Sequence, residues 1–239
     1  MNQGALQLGL SFPKGRGGRR KGAGRRHVAA RPSVPHRARP AHRPGEPVHI
    51  ILRAGFSQLR SQYVFPTVRA CIARTRRRRS GTFRIVHFSV QHNHVHLIVE
   101  ANDRAALLAG IKGLSVSIAR SVNQLLFRRG RLFEDRWFGR ALRTPRAVRH
   151  AIVYVLANAR KHGNCATHSP AIDPLSSASY FDGFAELSGT PWVELDRRSI
   201  RRLSQSPSER PVVRPRTWLL ARGWRRWGLI SLREVPVST

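Results

Sequence analysis

The sequence predicts an α+β domain: an antiparallel sheet with helices on one face. Strand-like and helix-like apolar patterns follow one another in the order β-α-β-β-α-β-α, beginning near Pro47. The tight turn at residues 91–93 joins the two central strand patterns into a hairpin, which two helical crossovers flank. This order is typical of a ferredoxin-like or RRM-like sheet.

The first half of the pattern supplies one strand, one helix and the hairpin. Residues 48–52 form a short β-type run, and residues 63–74 have helical apolar spacing. Residues 83–90 read as a strand in which Ile85 faces away from Val86 and Phe88. Residues 94–100 are then the returning strand of the hairpin.

The second half supplies two further helices and an edge strand. Asn102 is the expected N-cap of a helix that Gly130 ends. An edge strand is expected within residues 131–143, followed by the Thr144–Pro145 pair that typically opens a helix. This last helix is expected to run to about Lys161, with Gly163 as its stop.

Charge is the strongest global property of the chain. Its 239 residues include 44 Lys and Arg against 12 Asp and Glu, a formal net charge of +32. Nearly all of the positive charge is arginine, and such a field favours polyanions, nucleic acids above all. A GC-rich genome or an RNA-binding protein would explain the same composition. The run Arg76, Arg77, Arg78 and Arg79 is expected to lie near DNA, as is Lys161.

Composition also divides the chain. Residues 1–46 are rich in Arg, Gly, Pro and His, which predicts a disordered basic N-terminal arm that is either solvated or in non-specific contact with DNA. Residues 47–182 hold the domain, and residues 183–239 a C-terminal appendage. There, three tryptophans between arginines indicate either packing, which we favour, or a nucleic-acid surface: Trp218, Trp224 and Trp227.

Other features bear on location. Cys71 and Cys165 are far apart and form no C-x-x-C motif, so a reducing, cytoplasmic environment is expected. No apolar run approaches the roughly 20 residues of a membrane span, and we expect no membrane partner. The basic N-terminus has no apolar stretch of a secretory signal, although an arginine-rich transit peptide stays possible.

Two short segments carry the candidate chemistry. His94 and His96 lie on one face of a strand, where we expect an open sheet surface. Tyr154 and Asn158 are four residues apart, one helical turn of about 6 Å, with Lys161 nearby. Two imidazoles, a carboxamide and a phenol can surround one divalent metal. Taken singly, each has a plainer interpretation: a structural histidine, a helix-edge tyrosine or a polar surface asparagine.

In a chain this basic, such a set indicates metal-dependent DNA strand transfer with tyrosine as the nucleophile. A phenol has a pKa near 10, so only about one part in a thousand is ionised at pH 7. A neighbouring cation lowers that cost and stabilises charge on the attacked phosphate. Mg²⁺ prefers oxygen ligands, whereas imidazole suits Mn²⁺, Co²⁺ or Zn²⁺ better.

These segments resemble those of the HUH single-tyrosine transposases. His94-Val95-His96 is followed by an apolar strand, and Tyr154 by Asn158, although Ala159 stands where related sequences usually have proline. This superfamily includes the bacterial insertion-sequence transposases and the REP-associated tyrosine transposases. The serine-rich residues 173–180 look like the stretch that follows the tyrosine helix in the REP-associated branch. The resemblance covers roughly residues 47–182.

The resemblance implies a role for each site residue. His94 and His96 would bind the metal, Asn158 would be the third ligand or orient the metal, and Tyr154 would be the nucleophile. The implied cofactor is Mg²⁺ or Mn²⁺, and the substrate is single-stranded DNA, often beside a hairpin. Because some relatives form their sites between two subunits, a homodimer with Tyr154 acting in trans is possible.

Two alternatives stay open from sequence. A catalytically silent, domesticated relative would bind structured DNA or RNA through the same basic surface without cutting it. A structural role would instead have the imidazoles of His92, His94 and His96 hold Zn²⁺, so that chelation would unfold the protein.

Overall fold

A computed structural model of the chain describes residues 42–158, 172–187 and 210–236. Four strands form one antiparallel sheet in the order β2-β3-β1-β4: β1 (Val48–Arg53), β2 (Phe83–Val90), β3 (His94–Ala101) and β4 (Phe138–Ala141). The central hairpin pairs β2 with β3, and helices pack against the sheet. The predicted α+β fold, an antiparallel sheet with helices packed against it, is confirmed.

The two crossover helices, α1 (Val64–Arg79) and α2 (Arg104–Leu125), lie on the same face of the sheet. We call it the two-helix face, defined on β3 by Val95, Leu97 and Val99, all fully buried. Apolar stripes of α1 and α2 complete this core because both helices are amphipathic. Their buried side chains include Val68, Ile72, Ile111, Leu114 and Ile118.

The opposite surface is the histidine face, defined by His49 and Ile51 of β1 and by His94, His96 and Ile98 of β3. We expected it to be open, and that prediction is wrong. The third helix, α3 (Pro145–Leu156), covers it with a second apolar core. The reason is that this face also carries apolar residues, Ile98 among them, which need a partner layer.

Helix ends agree with sequence expectations in part. Thr144 caps α3, its Oγ1 accepting from the Ala147 N–H at 3.1 Å, and Pro145 opens the helix as predicted. The cap of α2 is Asp103 instead of Asn102, because the Asn102 amide donates to the Gly81 carbonyl at 3.2 Å. The helix ends at Leu125, ahead of Gly130.

α3 ends at Leu156, earlier than predicted. Ala157 has φ −101° and ψ 8°, outside regular helix, and residues 155–158 are all buried. A helix that is covered on every side can bury a full turn, so the backbone angles of Ala157 mark the end of α3, and burial does not. Lys161 and the predicted stop Gly163 lie outside the described residues, as do Cys165 and residues 1–41 of the arm.

The predicted alternation of side chains in β2 is wrong beyond Ile85, because the strand contains a β-bulge. The pairing with β3 shifts between Ile85 and His87, so that Phe88 lies opposite Leu97 on the two-helix face, together with Ile85. An inserted residue reverses the alternation beyond it. Val86 stays on the histidine face.

Segments beyond residue 172 complete the fold. The serine-rich segment covers the outer edge of β2: the Val90 N–H donates to the Leu175 carbonyl at 3.0 Å. In the C-terminal segment, Trp224 is buried within the core beneath α3, as the favoured packing interpretation expects. Trp218 and Trp227 are about half exposed and lie under arginine guanidinium groups.

α2 is also the one helix among residues 42–158, 172–187 and 210–236 whose length and composition would suit a membrane span. Core helices often share that composition, and Leu107, Ile111 and Leu114 of α2 are buried against the sheet and α1. The expectation that the chain has no membrane partner stays a prediction.

Glu100 of β3 binds the C-terminal segment through hydrogen bonds to residues 216 and 217. Its buried carboxylate pairs with Arg84 at 3.2 Å and accepts the N–H groups of Arg216 and Thr217 at 2.8–3.0 Å. We expect Glu100→Ala to lower the free energy of unfolding in urea by about 3–5 kcal/mol, since it leaves a buried guanidinium unpaired.

The matched control removes an exposed carboxylate. Asp182 pairs with Arg225 at 2.8 Å in a solvent-exposed bridge, and Asp182→Ala should cost less than about 1 kcal/mol. Equal losses in the two variants would show that the Glu100 network does not stabilise the fold.

His87 makes stability depend on pH. Burial lowers its pKa from 6.5 to about 3. In the unfolded chain His87 takes up a proton near pH 6.5, whereas in the folded chain it does so only near pH 3. The contribution of neutral His87 to the free energy of unfolding is therefore complete above pH 6.5 and is lost as the pH falls towards 3. Between pH 7 and 4.5 we expect His87 to contribute a loss of about 2–3 kcal/mol, and His87→Gln should remove that contribution.

Candidate active site

Three histidines lie together on the histidine face. His96 of β3 is only 1% exposed, and the His94 ring meets it edge-to-face with centroids 4.6 Å apart. On β1, the His49 ring stacks on His96 at 5.3 Å. The period of the two strands explains the cluster, because residues two apart share a face and the β1–β3 register sets His49 diagonally across from His96.

His49 is a residue that sequence reasoning missed. Its Nε2 lies 3.1 Å from Nδ1 of His96, within hydrogen-bonding distance. Burial, with a smaller contribution from the nearby Arg140 charge, lowers the pKa of His49 to about 4, so its imidazole is neutral at pH 7. A signal was present in the sequence: His49 interrupts an apolar strand at a position whose neighbours, Val48 and Ile50, face the other way.

α3 brings Tyr154 to this cluster. The Tyr154 ring meets His96 edge-to-face at 5.2 Å and His49 at 5.8 Å. The side chain is half-buried and also lines a cavity beside α3. Tyr154, His94 and His96, predicted from two segments far apart in sequence, are therefore neighbours.

Asn158 lies just beyond the end of α3 and is fully buried. Neither its Oδ1 nor its Nδ2 has a hydrogen-bond partner among the described residues. A buried carboxamide without partners costs on the order of 1–3 kcal/mol, so a native protein usually retains one for a ligand, a water or an ion. Lys161, the other predicted neighbour of Tyr154, lies outside the described residues.

The donor set suits a divalent metal. The two adjacent imidazoles of His94 and His96 are ligands that Mn²⁺ accepts, whereas Mg²⁺ would rely more on oxygen donors such as a carboxamide. Within residues 42–158, 172–187 and 210–236, no group of three or more His, Cys, Asp or Glu side chains could hold a metal ion. A metal here would thus need the Asn158 amide or oxygens of a substrate to complete its coordination.

The predicted DNA-contacting arginines lie in another layer. Arg76, Arg77, Arg78 and Arg79 form the last turn of α1, on the two-helix face, with the last three exposed. Arg76 already makes a hydrogen bond within the chain, since its Nη1 donates to the Arg210 carbonyl at 2.7 Å. The structure therefore separates this basic run from the histidine–tyrosine cluster by the thickness of the sheet.

No family model and no curated protein matches this chain. Solved structures match part of this chain at low identity. The structure of a REP-associated tyrosine transposase bound to a REP hairpin shares 18% identity and a TM-score of 0.48, over 60% of this chain and 82% of that one. A candidate transposase from Deinococcus radiodurans R1 shares 15% identity and a TM-score of 0.34, over 44% of this chain and 83% of that one.

Proposed function

We propose that this chain is a DNA transposase that cleaves and rejoins single-stranded DNA through a phosphotyrosine at Tyr154. The observation that carries the proposal is the meeting of Tyr154 with His94 and His96, whose rings cluster at centroid separations of 4.6–5.2 Å. A phenol that could act as nucleophile and a pair of imidazoles that could bind a metal are parts that metal-assisted phosphoryl transfer requires.

His94, His96 and Asn158 would hold the divalent cation, Mg²⁺ or Mn²⁺. When bound, it would polarise the scissile phosphate and stabilise negative charge on its non-bridging oxygens. His49 would hold the His96 ring in place through the contact between Nε2 and Nδ1 at 3.1 Å. Neutral at pH 7, the His49 ring can accept the Nδ1 proton of His96 and leave Nε2 of His96 for the metal.

The reaction itself is an exchange of one phosphoester for another. The Tyr154 oxygen gains a bond to phosphorus and releases its proton, while the bond from phosphorus to the 3′ oxygen breaks and that oxygen takes up a proton. The products are a 5′-phosphotyrosine and a free 3′-OH. Because the phosphoester is retained, a second 3′-OH can displace Tyr154 and rejoin the strand without ATP.

The charge of the chain supports the choice of substrate. A net charge of +32 favours the DNA backbone and makes binding strongly dependent on salt. The exposed arginines of α1 and the basic residues of 1–46 would add further contacts with the DNA backbone. A hairpin flanked by single strands is the substrate form we propose, in the bacterial cytoplasm, with the protein either monomeric or a homodimer.

A labelling experiment tests the proposal. Hairpin oligonucleotides with single-stranded flanks, labelled at either end, are incubated with protein and Mn²⁺ or Mg²⁺ and separated on a denaturing gel. We expect the 3′ label to migrate with the protein and the 5′ label to appear as a shortened strand whose 3′-OH a polymerase extends. Chelation by EDTA should abolish both products.

The competing functions give other patterns. DNA that shifts on a native gel but never becomes protein-linked, across metals and substrates, would identify a silent binding protein. Cleavage with no protein-linked strand would mean that water is the nucleophile. Unfolding on chelation, with no nuclease activity, would support structural Zn²⁺.

A further inference from the structure

A cavity of about 420 Å³ opens beside Tyr154, between α3 and the β1–β4 edge of the sheet. His49 and Ile51 of β1 form part of its wall, and His150 and Tyr154 of α3 line the other side. The cavity therefore adjoins the proposed nucleophile without including the proposed metal ligands.

The edge strand β4 gives this cavity its chemical character. Phe138 pairs with Ile51, and Arg140 pairs with His49, so both β4 side chains share the histidine face. Phe138 is 48% exposed, which is unusual for a large apolar side chain. An exposed aromatic ring next to a guanidinium, over an apolar floor, is the combination that proteins use to stack nucleobases.

The remaining wall is compatible with an anionic ligand. Its carboxylate, Glu234, is paired with Arg149, whose Nη1 and Nη2 donate to Oε1 and Oε2 at 2.6 and 2.9 Å. Arg140 lines the cavity and is exposed to solvent. The cavity volume limits the size of the ligand that can enter. About 420 Å³ is within the ~300–1,000 Å³ range of small-molecule sites. It is too small for a base pair with its two backbones.

We propose that this cavity binds one unpaired nucleobase next to the phosphate that Tyr154 attacks, with the base stacked on Phe138 and its backbone held by Arg140. The assignment rests on the proposed function, since Tyr154 fixes where the phosphate lies. A base attached to that phosphate is within one nucleotide of the cavity. The site would orient the strand for attack and contribute to selection of the cleavage position.

Fluorescence of 2-aminopurine tests the site. A set of hairpin oligonucleotides carries the probe at successive single-stranded positions, and each is titrated with full-length Tyr154→Phe protein, in which no strand is cut. We expect stacking to quench the probe at one position. In that background Phe138→Ala should abolish the quenching and weaken binding roughly tenfold, whereas Phe138→Trp should retain both.

Matched variants separate stacking from general effects. Phe127 is 97% exposed at the end of α2, and Phe127→Ala should change nothing. Arg140→Gln should lower the slope of log affinity against log salt by about one, as expected for one lost phosphate contact. If Phe138→Ala does not fold, Phe138→Leu removes the ring while keeping apolar bulk.

Two results would overturn the inference: quenching that survives Phe138→Ala or Phe138→Leu, or the absence of quenching at every position. Because no cleavage is involved, these results are independent of the labelling experiment. Position-specific quenching without any protein-linked DNA would retain the base site and reject the transposase. Protein-linked DNA without quenching would do the reverse.

Discussion

Replacement of Tyr154 by phenylalanine is expected to abolish the protein–DNA adduct while leaving DNA binding intact. The phenylalanine ring keeps the edge-to-face contacts with His96 and His49 at 5.2 and 5.8 Å, so the fold of the site should be preserved. Only the oxygen that we propose as the nucleophile is lost. Adduct yield per unit time should fall at least about a thousandfold, with the dissociation constant for hairpin DNA changed by less than about threefold.

The chain offers two matched controls, because it contains three tyrosines. Tyr63 is 71% exposed at the start of α1, and the buried Tyr180 accepts a hydrogen bond from Arg69 at 3.0 Å. Tyr63→Phe and Tyr180→Phe should both form the adduct at the wild-type rate. Peptide mapping of the adduct gives the same information directly. An adduct that persists in Tyr154→Phe and maps to another residue would reject the assignment.

Local rules predicted much of the fold. The alternation of Val95, Leu97 and Val99 gave the buried side of β3, and the Thr144–Pro145 pair gave the start of α3, because both depend only on neighbouring residues. Strand order followed from the hairpin and its crossovers. The pairing of β1 with β3 then brought together residues whose individual signals were weak.

The parts that failed depend on tertiary structure. Nothing local marks the bulge in β2, which displaces Phe88 to the other face, or the turn at Ala157 that buries Asn158. α3 covers the histidine face because the apolar side chains of that face, taken together, have to be buried. His49 was overlooked for the same reason, since its importance arises from a diagonal contact between two strands and not from its own segment.

Removal of the proposed metal ligands is the second change with a large expected effect. His94→Ala should weaken Mn²⁺ binding at least roughly a hundredfold and reduce adduct formation to a similar extent at limiting metal, because it would remove a proposed direct ligand. His94 is only half-buried, so its loss should be compatible with folding. Electron paramagnetic resonance measures the affinity for Mn²⁺ directly and does not depend on enzymatic activity.

His92 provides the control within the same hairpin. It is exposed in the turn, and His92→Ala should keep both Mn²⁺ affinity and adduct yield. Loss of metal in His92→Ala as well would instead favour three imidazoles as ligands. High Mn²⁺ concentrations should partly restore the adduct in His94→Ala but not in Tyr154→Phe, since weakened binding is overcome by mass action whereas a missing nucleophile is not. Failure of Mn²⁺ to distinguish the two variants would argue that His94 acts on the chemistry by a route other than the metal.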